Sequence, residues 1–172
     1  MNWFMEQIKI SSVDDRAAIY RELLPQLKSL VENEDDITAN LANISAALKQ
    51  ALRNVSWVGF YLLRNGELVV GPFQGKVACT RIKIGNGVCG KAAEERKTIV
   101  VPDVYEFPGH IFCDADSKSE IVVPILRGDA LFGILDLDSP EFNSFDEVDA
   151  ENLKIVSEIV SELSIKEGTN VG

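Results

Sequence analysis

Apolar positions change their spacing several times along the chain, and each change marks an element. From Asp14 onward, Tyr20, Leu23, Leu24, Leu27, Leu30 and Val31 recur at the interval of a helix face, with Pro25 expected to kink or divide that helix. Ile37, Leu41, Ile44 and Leu48 form a cleaner stripe, capped by Asp36 and ending near Asn54. At Val55 the pattern becomes that of a strand running to Leu63; Arg64, Asn65 and Gly66 make a hairpin turn, and Glu67 to Phe73 are its antiparallel partner. A third strand, Thr80 to Ile84, follows Cys79. Gly85, Asn86 and Gly87 lead into a short helix around Val88 to Arg96, and Thr98 to Val101 is a brief strand. Pro102 to Lys118 has no periodicity and is longer than most structureless connections, as functional loops are. Two strands, Glu120 to Leu126 and Ala130 to Leu137, flank Arg127, Gly128 and Asp129. A last helix is expected to begin at Ser144, with a capping box to Glu147 and a buried face of Leu153, Val156, Ile159, Val160 and Leu163.

Hairpins dominate these connections. The expected fold is therefore α/β of the α+β type: a largely antiparallel central sheet, the terminal helices on one face, irregular loops on the other, and a pocket beneath those loops. A length of 172 residues suits one domain, 1–172, with a core of about 17–165.

Charge narrows the partners. A formal net charge of −10, with no basic stripe, argues against nucleic acid. No run reaches membrane-spanning length, and the first residues have neither a basic region nor a small-residue cleavage site. Three cysteines do not resemble a secreted disulfide framework, so reduced thiols in the cytoplasm are expected.

Four groups of residues carry candidate chemistry. Cys79, Cys89 and Cys113 form no C-x-x-C pair, which leaves zinc-knuckle and thioredoxin-type sites without their signature. Cys113 sits in the polar loop three residues after His110, the sole histidine, where a stabilised thiolate makes a competent nucleophile; buried packing is the ordinary alternative for any one cysteine. Asp136 and Asp138 lie two apart on a strand and share a face, which is either a solvated edge or a buried pair requiring a cation. Trp57, Gly59 and Tyr61 also share a face; they are either core packing or two aromatic walls around a glycine floor that fits an S-methyl group. The turn from Ile84 to Ala92 opens a helix whose N–H groups suit an anion such as a carboxylate.

Together these segments resemble the free methionine-R-sulfoxide reductases, a GAF-domain family. The most specific parts are Trp57 to Tyr61, Gly71 to Ile82, the Gly-Asn-Gly-Val-Cys-Gly turn ending at Gly90, Val101 to Val104, and Asp136 to Pro140. The resemblance implies a catalytic Cys113, a resolving Cys79, and in Cys89 a further thiol able to join disulfide exchange. It also implies that Glu120, Asp136 and Asp138 jointly bind the amino group and the sulfoxide of free methionine sulfoxide, while Trp57 and Tyr61 receive the S-methyl group. No bound cofactor or metal is implied; thioredoxin is the expected external reductant, supplied indirectly by NADPH, and a homodimer is expected through the terminal helices. The rival readings are a GAF sensor that binds a small ligand without turning it over, and a zinc or haem module using cysteine and His110.

Overall fold

The computed structural model describes residues 7–12, 14–111 and 116–163. Its elements run α1 (Arg16–Val31), α2 (Ile37–Ala51), β1 (Trp57–Arg64), β2 (Glu67–Gln74), β3 (Arg81–Lys83), α3 (Gly87–Glu95), β4 (Ile99–Val101), β5 (Ser119–Arg127), β6 (Ala130–Ser139) and α4 (Glu147–Glu162). The six strands form one sheet in the order β3-β2-β1-β6-β5-β4, and every neighbouring pair is antiparallel. The predicted architecture is therefore correct, down to the β1–β2 turn, where Asn65 and Gly66 take φ values of 52° and 83°.

Strand alternation divides the interior into two cores. Val58, Phe60, Ile121, Val123, Leu135 and Leu137 face α1, α2 and α4, where Leu23, Leu27, Ile44, Leu48, Leu153 and Val156 meet them. The opposite face presents Trp57, Tyr61, Val122 and Ile134 to α3 and the connecting loops, with Val88, Ala92 and Val104 closing this smaller cluster. Residues that alternate with the main core thus point to the loop side, and the site is built there.

Two expectations about the helices fail. Pro25 does not divide α1, which runs unbroken with Tyr20, Leu23, Leu27 and Val31 all buried; burial of that stripe on both sides of the proline outweighs one missing backbone hydrogen bond. The last helix is capped by Asp146 rather than Ser144. Asp146 accepts from the backbone N–H of Val148 and Asp149, and the Asp149 carboxylate accepts from the N–H of Asp146, which completes the capping box.

Tertiary structure selects that register. Asp149 is buried, and its Oδ1 accepts from the Tyr20 hydroxyl at 2.7 Å and from Arg16 Nη1 at 3.0 Å, tying α1 to α4. Burial and the Asp149 carboxylate hold the Tyr20 phenol well above its ordinary pKa, so it remains a donor. Tyr20→Phe leaves this acceptor with fewer donors and is expected to cost about 1–2 kcal/mol in urea unfolding. A change within about 0.3 kcal/mol would mean that Arg16 alone satisfies the carboxylate.

Candidate active site

Register across three strands assembles the acidic face. Asp138 on β6 pairs with Trp57 on β1 and with Glu120 on β5, forming one cross-strand row. The next row holds Asp136 between Gly59 and Val122, and the following one places Ile134 beside Tyr61. Leu135 and Leu137 are fixed in the helix-side core, so Asp136 and Asp138 must point the other way. Of the two readings open for this pair, the buried one holds for Asp136, while Asp138 is half-buried.

Glu120 and Asp136 are each only 5% exposed. Burial, followed by repulsion from the neighbouring carboxylates, pushes both well above the usual carboxylate range. The Cys89 thiol lies between them, with Sγ 3.2 Å from Asp136 Oδ2 and 3.6 Å from Glu120 Oε1. Its own pKa is raised, mainly by burial and then by the same acids, so it sits as a thiol and donates. Asp138 Oδ1 accepts from the Ser117 hydroxyl at 2.6 Å. Asp136 Oδ1 is buried without a hydrogen-bond partner among the described residues. His110 Nδ1 approaches Glu120 Oε2 at 3.6 Å, and burial draws the imidazole below its ordinary pKa. Such a cluster can retain a proton at neutral pH, and it gains by receiving a cationic group.

The aromatic side of the pocket is tied to the segment that carries Cys79. The Trp57 and Tyr61 rings stand 5.9 Å apart at 31°, and Trp57 stacks on Phe73 at 5.3 Å. Trp57 Nε1 donates to the Lys76 carbonyl and the Tyr61 hydroxyl donates to the Cys79 carbonyl, both at 3.1 Å. Lys76 also pairs with Asp116, inside the long loop. Cys79 is disulfide-bonded, whereas Cys89 is a free thiol.

The expected glycine floor is not open. A Cβ at Gly59 would lie 2.7 Å from the Trp57 ring and 2.3 Å from Phe73 Cβ, so the indole and its neighbour already cover that position. Glycine here seats the aromatic wall rather than lining a slot.

One pocket is lined by Trp57, Tyr61, Cys89, Glu120, Asp136 and Asp138 together with His110. Asn86, Gly87 and Val88, at the start of α3, also face it, so the helix-opening turn lies where an anion would meet it. Val77 and Ala78, just before Cys79, form part of the rim. Cys113 lies outside the described residues. Sequence reading missed Ser117, whose link to Asp138 spans 21 positions, and Ile111, a pocket-lining residue 37% exposed; neither belongs to a periodic segment that would have marked it.

The family model described as GAF domain matches residues 34–163. GAF domain-containing protein A of Dictyostelium discoideum is 53% identical over 135 residues, covering 78% of this chain and 85% of that protein. Free methionine-R-sulfoxide reductase of Escherichia coli is 43% identical over 140 residues, covering 81% and 85%. The structure of free methionine-R-sulfoxide reductase from Neisseria meningitidis in complex with its substrate superposes with a TM-score of 0.88 at 48% identity, covering 91% of this chain and 94% of that one. A cysteine held between buried acids, an aromatic wall joined to a second cysteine, and relatives of this similarity over most of both chains lead to one assignment: the chain belongs to the GAF-domain family of free methionine-R-sulfoxide reductases.

Proposed function

We propose that the protein reduces free L-methionine-R-sulfoxide to methionine, with Cys113 as nucleophile. The observation that carries this reading is the buried carboxylate cluster facing Trp57 and Tyr61 in a single pocket. Glu120, Asp136 and Asp138 jointly receive the ammonium group and the sulfoxide oxygen, and the N–H groups opening α3 receive the carboxylate. A peptide-bound residue has neither charge, which restricts the substrate to the free amino acid. Trp57 and Tyr61 accept the S-methyl group.

The Cys113 thiolate attacks the sulfoxide sulfur while a protonated carboxyl of the cluster delivers a proton to the oxygen. Transfer of that oxygen releases methionine and leaves Cys113 as a sulfenic acid. The thiol of Cys79 then attacks the sulfenic sulfur, forming a disulfide and expelling water. An external dithiol, of which thioredoxin is the expected example with NADPH as the ultimate donor, reduces that disulfide. The tether from Tyr61 to the Cys79 carbonyl supports this pairing by fixing the resolving segment against the pocket. Cys89, held as a thiol between two acids, is a further thiol able to join disulfide exchange. The same reading includes a homodimer formed through the terminal helices and a thiol-reducing, cytoplasmic setting.

Single-turnover release of methionine without added reductant tests the assignment. Pre-reduced wild type and Cys79→Ser are each expected to release about one methionine per chain, since one attacking thiol serves each site, and Cys113→Ser none. Full release by Cys113→Ser would remove Cys113 from the nucleophile's role. No release by any of the three proteins would favour a GAF sensor.

A further inference from the structure

Three buried polar groups of the pocket have the separations of a metal-binding set. Sγ of Cys89 and one carboxylate oxygen from each of Glu120 and Asp136 all lie within 4.8 Å of one another, and all three residues are buried. A tetrahedral zinc ion with Zn–S of about 2.3 Å and Zn–O of about 2.0–2.2 Å requires sulfur-to-oxygen separations of about 3.5 Å. The observed values are 3.2 and 3.6 Å. A second observation points to a ligand at the same place: Asp136, 5% exposed and lining the pocket, has a buried Oδ1 with no hydrogen-bond partner among the described residues.

We propose that, in the reduced protein, Cys89, Glu120 and Asp136 bind one divalent cation of the zinc class, leaving its fourth position to water from the pocket. One thiolate and two carboxylates offset the dication, which relieves the repulsion these acids impose on one another. Binding releases the Cys89 proton and the protons held by the acids, so occupancy rises with pH. The ion takes the place assigned above to the ammonium group. As far as it rests on the reductase reading, the ion is thus an inhibitor that competes with substrate.

Cobalt(II) is the probe, added anaerobically to the pre-reduced full chain. One equivalent per chain is expected to bind, with a near-ultraviolet sulfur-to-cobalt band and visible bands of tetrahedral intensity, both lost on adding zinc. Cys89→Ser is expected to abolish the sulfur band, and Asp136→Asn to weaken binding at least about tenfold, since loss of even an outer partner of a ligand costs about 10–100-fold in affinity. The double variant C79S/C113S, whose sole thiol is Cys89, retains the band. Absence of a sulfur band in reduced wild type, or its loss in the double variant, overturns the site. Free methionine, the product, should raise the apparent cobalt Kd. If cobalt binds through Cys89 but methionine leaves its affinity unchanged, the metal site stands, while its overlap with the substrate pocket, and with it the reading of these acids as the ammonium site, falls.

Discussion

Asp136→Asn is expected to lower kcat/KM for free methionine sulfoxide by about 10²–10⁴-fold, the range over which a positioned proton donor or its partner contributes. The substitution keeps the size of the side chain and leaves an amide oxygen to accept from Cys89. What it removes is one of two coupled carboxyls that hold a proton because burial and mutual repulsion disfavour ionisation. Without the repulsion from Asp136, Glu120 ionises more readily, and the pocket loses both a neutral donor and a partner for the ammonium group. Activity equal to that of wild type would remove Asp136 from the substrate machinery.

The same variant has a signature in stability that does not depend on turnover. Asp136 and Glu120 have folded-state pKa values above their unfolded ones, so at intermediate pH the native state binds more protons than the unfolded state. At low pH both states are protonated and the groups cost nothing. As pH rises past the unfolded carboxyl range near 4, stability is lost until the folded-state values are reached, at up to about 1.4 kcal/mol per pH unit for each retained proton. In urea unfolding of the reduced proteins from pH 5.5 to 8, chosen to stay above the pI of about 4.6, the decline should be shallower for Asp136→Asn than for wild type. Parallel curves would mean that the cluster does not retain a proton in this window.

Much of this site was legible because it follows from strand alternation. Asp136 and Asp138, two positions apart on a strand, share a face by alternation alone; that this face is the pocket rather than solvent follows only from Leu135 and Leu137 being held in the helix-side core. Trp57 and Tyr61 fell on one face for the same reason. What sequence could not supply was the strand order that inserts β6 between β1 and β5, and therefore the row Trp57, Asp138, Glu120. The partners of Cys89 lie 31 and 47 positions away, and nothing local to the glycine turn points to them. Helix ends failed for a related reason. Ser144 and Asp146 both satisfy the local capping pattern, and the choice is made by Phe145, which is buried, and by Asp149, which Tyr20 and Arg16 engage from 129 and 133 residues away.

Gly59→Ala is expected to destabilise the protein by about 3 kcal/mol or more, the upper end of overpacking costs, and to lower activity with it. Gly59 pairs directly with Phe73 on β2, beside a register shift in that ladder. An added Cβ would stand 2.3 Å from Phe73 Cβ and 2.9 Å from Phe73 Cα. Neither atom moves with a rotamer, so relief requires β1 and β2 to separate. The third neighbour, the end of the Trp57 ring at 2.7 Å, can swing away, but doing so breaks its hydrogen bond to Lys76 and disturbs the wall of the pocket. Gly66→Ala is the natural control. Gly66 has φ of 83° with no atom within 4 Å of the added carbon, so it should cost only about 1–2 kcal/mol from backbone conformation. Phe73→Ala keeps the offending Cβ and should not rescue Gly59→Ala, whereas Phe73→Gly removes it and should recover part of the loss in the double variant. If Gly59→Ala unfolds at the same urea concentration as wild type, the close approach of β1 and β2 is not what requires glycine at this position.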